Sequence, residues 1–393
     1  MSQTVLPMAR SFDGWARLPV SEKRRASLLT NIEIERALWS TLEYYSEVEE
    51  VGLNLIQTKG LQPQSLHQEI FQYLQAFVRQ AKSYYGSAKT LHYRSSSLLY
   101  YYSFLNLVKA YLLLKNPQMI MGRTNQAVTH GLSYKTSTTN TDFQLEIVRV
   151  CDGIFPIFYE AETSTVISTA INSTLNISSL LGYPTDINRE YLMVNYGNGK
   201  ILSSLAAILT HRPQNQAWTV LGIPARPGLN EFLNLHSNFL NAYQEVQIYP
   251  LFYPVFDIPP QELLSHRFFQ DVTPVPMNST NTVNEFVLFQ KIIDALNPHF
   301  SVHYYDDHNG FDLALPYQDA THTTPLPMNE VLAIYAVMFY LSSLVRYRPN
   351  YLESLLNHKP AWLIENFVNS TPETFLKMMV SKIVGTDFVF RRR

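Results

Sequence analysis

A single cysteine, Cys151, stands in 393 residues. That rules out an intramolecular disulfide framework and any cysteine-based zinc knuckle, and it fits a reducing cytosol. Cys151 itself reads as a small buried hydrophobe, with a nucleophile as the alternative. Charge is scarce as well: charged residues make up 16% of the chain, against about 25% in an average soluble domain. The formal net charge of −2 excludes bulk DNA binding, because coating a polyphosphate needs concentrated Lys and Arg. A local basic groove is left open. Missing too are a Gly-rich phosphate loop followed by Lys-Ser or Lys-Thr, Gly-x-Gly-x-x-Gly, Gly-x-Ser-x-Gly and His-Glu-x-x-His. Their absence disfavours nucleotide hydrolysis, dinucleotide redox chemistry, serine hydrolysis and zincin proteolysis, and no cofactor is expected. No secretory signal is read in residues 1–20, which carry Arg10, Asp13 and Arg17 and no long apolar region.

Apolar and aromatic side chains are abundant by contrast. Hydrophobic residues reach 46%, with 25 Tyr and 22 Phe, enough for a sizeable core without staples. Broad Tyr-rich faces on a weakly charged surface suggest cover by a second copy or a protein partner, so a homo-oligomer is expected. Leu98–Leu114 is the best membrane candidate, but Ser103, Asn106 and Lys109 interrupt it within a span shorter than the roughly 20 residues a bilayer needs. It reads as a buried helix of a cytoplasmic protein with no membrane partner.

Periodicity predicts helices first. Ser21–Arg24 opens a polar turn, and Ile32, Ile34, Ala37, Leu38 and Leu42 recur near the 3.6 period, carrying a helix towards Val51. A second helix spans 65–81 and a third 94–115, stopped by Asn116-Pro117. The third is apolar nearly all round and belongs at the centre of a bundle. Its Ser103, Asn106 and Lys109 form one slanting seam, either joining helices by hydrogen bonds or serving a ligand. After Tyr134 the pattern changes. Strand-like runs at 143–150 and 154–160 flank Asp152-Gly153, a hairpin signal. The stretch 163–179 fits no one element. Further strands are expected at 217–223, 244–256, 300–305 and 311–315, and helices at 189–195, 200–209 and 279–296. The chain closes with helices at 327–346, 350–356 and 360–383, the last carrying a capping pattern at Ser370-Thr371-Pro372-Glu373.

Helices at both ends around a β-containing middle give an α+β fold: a helical region 1–135, a mixed region with β-hairpins at 136–325, and C-terminal helices at 326–393 that pack back on the bundle as one unit with the first region.

Several segments together resemble the YaaC-like family: the Tyr-rich helix Leu99–Ala110, His130-Gly131-Leu132, Gly153–Pro156 and Leu344–Pro349. The resemblance covers most of the chain and implies the layout, since no settled chemistry comes with the family. A more distant resemblance is to HEPN domains, helical bundles that often cleave RNA without metal through an Arg-x(4 to 6)-His pattern. Here six residues separate Arg123 from His130. The resemblance implies His130 as base for the 2′-hydroxyl and Arg123 as cation for the phosphorane. In that family the segment opens a helix, whereas here it reads as a loop, so a structural role for His130 stands beside the catalytic one.

Two other clusters are candidates for ligands. His299, His303 and His308 lie near Asp306, Asp307 and Asp312, but the acidic residues already have a reason to sit in a turn, and no metal site is assigned. Arg346 and Arg348 with Tyr347, joined by Arg94, Lys109 and His92, would bind an anion if the Tyr-rich helix met the C-terminal one. Otherwise the two arginines cap helix carbonyls. Arg391–Arg393 reads as a solvated tail. The leading functional expectation is an interaction or sensor protein within a multi-protein bacterial system such as phage defence. A ribonuclease toxin using Arg123 and His130, with RNA as partner, and a nucleotide- or anion-binding protein are the alternatives.

Overall fold

The computed structural model describes residues 4–5, 14–16, 31–122, 129–134, 143–170, 173–194, 196–197, 199–211, 215–225, 229–230, 233, 237–247, 264–276, 304–305, 310–315, 317 and 326–385. In chain order the helices among them are α1 (Asn31–Glu47), α2 (Glu49–Thr58), α3 (His67–Lys89), α4 (Tyr93–Lys115), α5 (Gln118–Met121) and α6 (Ile154–Thr163). They continue as α7 (Ile177–Leu180), α8 (Asn188–Val194), α9 (Ser237–Ala242), α10 (Glu330–Tyr347), α11 (Pro349–Leu355) and α12 (Pro360–Val384). The strands begin with β1 (Thr4–Val5), β2 (Gly14–Ala16), β3 (His130–Tyr134), β4 (Ile147–Gly153), β5 (Thr174–Asn176) and β6 (Ile201–His211). They end with β7 (Gln216–Pro224), β8 (Tyr243–Gln247), β9 (His266–Asp271), β10 (Val275–Pro276), β11 (Tyr304–Tyr305) and β12 (Gly310–Ala314). The fold is α+β, and the chain divides into two compact units, Leu28–Gly199 with Tyr317–Phe388 and Met1–Ser27 with Lys200–Pro316.

In the helical unit α4 is the axis. Its sequence is apolar on every side, so no face is suited to water, and α3, α10 and α12 pack around it. Tyr101, Phe104, Leu107, Val108, Leu112 and Leu113 are fully buried, each side chain contributing about 1.5–3 kcal/mol from lost apolar surface. Phe104 stacks on Phe375 of α12 with ring centroids 3.9 Å apart. The polar seam joins helices: Ser103 donates to the Ala81 carbonyl of α3 at 2.8 Å, and Lys109 lies over the Phe77 ring. Helix α10 starts where the Asn329 side chain accepts from Leu332 N at 3.0 Å. Among the described residues it alone is long and apolar enough to cross a membrane, yet 83% of it is buried inside the protein, as a core helix would be. The small sheet of this unit, β3-β4-β5, is antiparallel throughout.

The second unit is a nine-stranded sheet in the order β1-β8-β9-β7-β6-β12-β11, with β10 joined to β7 and β2 to β6. All its pairs are antiparallel except β1 with β8.

Several sequence expectations need correction. Residues 154–160 form α6 rather than the second arm of a hairpin. Gly153 at φ +147° ends β4, and Pro156 sits in the first helical turn, where a missing N–H costs nothing. The helix expected at 200–209 is a strand from Ile201 onward: β6 is paired by β7 on one side and by β2 and β12 on the other, and this ladder overrides the helical preference of its Leu and Ala residues. Ser370–Glu373 caps nothing, because α12 runs through Pro372, with Thr371 Oγ1 bonded to the Phe367 carbonyl at 2.7 Å. The first helix breaks at Val48, whose backbone is extended, and α2 carries on to Thr58. The expected 279–296 helix, the 306–309 turn and the 391–393 tail lie outside the described residues, as do His299, His303 and His308.

Candidate functional site

The site grows out of two glycines that meet back to back. Gly131 in β3 has φ +76° and Gly153 at the end of β4 has φ +147°, conformations that side-chain-bearing residues rarely adopt. A Cβ on Gly131 would lie 2.6 Å from Pro156 Cδ, and one on Gly153 would lie 2.5 Å from the Thr129 carbonyl. The β3–β4 register shifts at this point, between His130 and Leu132. Such an irregularity redirects a side chain, and here the residue concerned is His130. The expected loop at Gly131 is therefore the start of a strand.

His130, Ser133 and Tyr134 of β3 face Phe339, Ser343, Arg346 and Tyr347 of α10, and Arg348 just beyond it, across a cleft of about 560 Å³. That volume is typical of small-molecule sites. Among the described residues no Asp or Glu lines it. Arg346 lies over the Tyr102 and Tyr347 rings, at 5.8 and 5.0 Å from their centroids. Its Nε donates to the Ser342 carbonyl at 3.3 Å and one terminal nitrogen to Tyr102 Oη at 3.2 Å. Arg348 lies over the Tyr351 ring and donates to Tyr134 Oη at 3.2 Å. The buried Glu146 carboxylate sits behind that hydroxyl, accepting from Tyr134 at 2.9 Å and from Tyr351 at 2.8 Å. Arg348 thus reaches a carboxylate only through a tyrosine. Among the described residues neither cleft arginine forms an ion pair.

His130 closes the inner end. Its Nδ1 is 2.8 Å from Tyr101 Oη, which is 3.3 Å from Tyr335 Oη. Burial, then the charges of Arg346 and Lys109, hold the imidazole below its ordinary pKa of 6.5, so it is neutral at pH 7. A neutral ring beside two cations gives the cleft a net positive charge in a partly desolvated setting, which suits an anion.

The residues expected from sequence are distributed unevenly. His130, Arg346 and Arg348 share the cleft with Tyr347. Lys109 does not line it, although its charge acts on His130. Arg94 stands apart, ion-paired with Glu353 of α11. Arg123 lies outside the described residues. Ser133, Tyr134 and Phe339 were not foreseen, nor were the supports Tyr335 and Glu146, and no local pattern marks them. Cys151 is half-buried, its Sγ 3.9 Å from the Arg149 carbonyl, and is not a cleft residue. Among the described residues no group of three or more His, Cys, Asp or Glu is placed to hold a metal ion.

No curated protein and no solved structure matches the chain. The family model described as "YaaC-like Protein" matches residues 55–383, a span that runs from α2 through the cleft to the end of α12, and the chain therefore belongs to the YaaC-like family.

Proposed function

We propose that this protein binds a small phosphate-bearing anion in the β3–α10 cleft and works as an intracellular sensor that reports the ligand to a protein partner. One observation carries the reading: among the described residues, two guanidinium groups line a single cleft with no acidic residue in its lining and no ion pair of their own. Unpaired arginines in a partly buried setting are costly unless an anion joins them, and their forked donors match phosphate oxygens. Tyr347, 70% exposed at the rim, offers a ring face to a nucleobase.

Isothermal titration with inorganic phosphate and with adenosine 5′-monophosphate tests this. Wild type should bind at least one of them, and Arg346→Ala should weaken binding at least about tenfold, the loss expected for a charge-assisted hydrogen bond. Absence of binding by wild type, or equal binding by the variant, overturns the reading.

Metal-independent RNA cleavage is a second reading, supported by a neutral His130 close enough to Arg346 to feel its charge. Here Arg346 would supply the cation that the sequence pattern sought in Arg123. Incubation with total RNA in EDTA, beside His130→Ala and Arg346→Ala, tests it; no cleavage, or cleavage by all three proteins alike, sinks it.

A further inference from the structure

We infer that a relay of hydroxyl groups, Tyr335 to Tyr101 to His130, locks His130 as the tautomer carrying its proton on Nε2, so that the cleft presents hydrogen-bond donors and takes a phosphomonoester. This inference rests on the anion-binding reading and narrows its ligand class.

Tyr335 is fully buried, and among the described residues its hydroxyl has one partner, Tyr101 Oη. A buried O–H left without an acceptor costs about 1–3 kcal/mol, so Tyr335 donates and Tyr101 accepts. Burial pushes both phenols above their ordinary pKa of 10.0, which keeps both protonated. Tyr101 therefore still has a proton to place, and its other neighbour is His130 Nδ1 at 2.8 Å. Nδ1 accepts it. In a neutral imidazole the remaining proton then belongs to Nε2, the ring nitrogen left for the cleft. The reverse direction would leave the Tyr335 proton with no acceptor among the described residues.

The other polar groups agree in sign. Arg346 spends its Nε on the Ser342 carbonyl, one N–H of a terminal nitrogen on Tyr102 and one N–H of the other on Ser342 Oγ at 3.5 Å, leaving one N–H on each terminal nitrogen for a ligand. Arg348 spends one terminal N–H on Tyr134. Ser343 donates to the Phe339 carbonyl at 2.9 Å and is no competing donor. His130 and the two arginines line one cleft, and an imidazole N–H with two guanidinium groups is a set that suits an oxyanion with several acceptor oxygens. A doubly charged phosphomonoester satisfies more of these donors than a carboxylate or a diester does. Tyr101 and Tyr335 are positioning residues in this scheme, since neither lines the cleft.

Long-range proton–nitrogen correlation spectra of the full-length ¹⁵N-labelled protein read the tautomer directly. The chain has 11 His, and the signal lost in His130→Gln identifies the ring. Protonation at Nε2 with an unprotonated Nδ1 is the expected pattern, blurred towards a mixture in Tyr101→Phe. Titration with inorganic phosphate and adenosine 5′-monophosphate supplies the second arm, with acetate and a dinucleoside monophosphate, a diester, for comparison. His130→Gln, whose amide N–H takes the place of Nε2–H, should bind adenosine 5′-monophosphate more tightly than His130→Leu, recovering part of that variant's loss. His130→Leu should lose about tenfold, as for one hydrogen bond to a charged group. A proton on Nδ1, or a diester bound as well as the monoester, overturns the inference. If Arg346→Ala still abolishes binding in that case, the anion-binding reading survives it. If wild type binds no phosphate at all, both fall.

Discussion

Helix α3 and the β3–α10 cleft handle the same kinds of residue in opposite ways. All three basic residues of α3 are answered by α1: Arg79 by Glu47, Lys82 by Glu43 and Lys89 by Glu35. The pairs run in reversed order along the two helices, so they also fix an antiparallel register. In the cleft, Arg346 and Arg348 meet, among the described residues, only hydroxyls, a carbonyl and aromatic rings. The glycines divide likewise. Gly86 of α3 has open space where a Cβ would go, while Gly131 is confined by Phe155 and Pro156. One region satisfies its own charges and tolerates change. The other leaves charges open and uses backbone conformations that glycine alone adopts readily, as expected where binding rather than stability shapes the residues.

The largest effect should come from Gly131→Ala. A left-handed backbone costs a non-glycine residue about 1–2 kcal/mol, and overlap with Pro156 adds to it, so a destabilisation of about 2–4 kcal/mol is expected. Thermal unfolding should show a clearly lower midpoint, and phosphate binding should fall with it because His130 is displaced. A variant with wild-type midpoint and affinity would mean that the register shift at Gly131 does not set the cleft.

A smaller effect distinguishes the cleft by pH. His130 is held below the ordinary 6.5 by burial and by Arg346 and Lys109. Above 6.5 the ring is neutral in folded and unfolded chains alike and costs nothing. As pH falls through 6.5 towards the lower folded value, the unfolded chain takes up a proton that the folded one refuses, and stability is lost. The midpoint of wild type should therefore drop more than that of His130→Gln between pH 7.5 and pH 5. Parallel curves would show that the ring titrates freely, contrary to its enclosure by α4 and α10.

Much of the helical unit was legible in the sequence because its helices carry an unambiguous apolar period, and α4 and α10 are buried as their composition demands. Residues 154–160 and 200–209 were misread for a common reason. Short apolar runs suit either backbone, and what decided between them was remote: the Gly131–Gly153 contact for α6, and the β7, β2 and β12 ladders for β6. The candidate site was half visible. Arg346, Arg348 and His130 stood out by type, but their meeting depends on β3 lying along α10, and no local pattern records that. Arg94 looked equivalent to Arg346 in sequence; only the fold supplies Glu353 to neutralise it. The Tyr335–Tyr101 pair joins positions 234 residues apart and left no local trace.

On α3 the expected changes are small and opposite in sign to those of the cleft. Gly86 is exposed in the helix interior with nothing near its missing Cβ. Gly86→Ala should stabilise by about 0.5–1 kcal/mol, since alanine gives up less backbone freedom in a helix. Chemical denaturation should show a higher midpoint with unchanged slope and unchanged phosphate affinity. A lower midpoint would mean that α3 carries a hidden constraint like that at Gly131.

The smallest effect should be Arg79→Ala, although its geometry looks strong: Nε and a terminal nitrogen hold both oxygens of Glu47 at 2.8 and 2.5 Å. Two facts reduce its worth. The side chains remain 61% and 35% exposed, so water screens the attraction, and holding two long side chains in one geometry costs entropy. Glu47 keeps a second donor in Gln75 at 3.2 Å after the arginine is gone. The unfolding midpoint at pH 7 should stay within measurement error of wild type. What the pair does contribute has a definite sign: hydrogen bonding by Arg79 holds the Glu47 carboxyl below 4.5, so its stabilisation is complete above that pH and disappears as pH falls through the folded value. Any difference between Arg79→Ala and wild type should therefore shrink on acidification and in high salt. Arg346→Ala should show the reverse balance, with little change in the midpoint and a large loss of phosphate binding. If instead Arg79→Ala unfolded the protein or weakened phosphate binding, the contrast between a self-satisfied helix face and an open cleft would fail on its own terms.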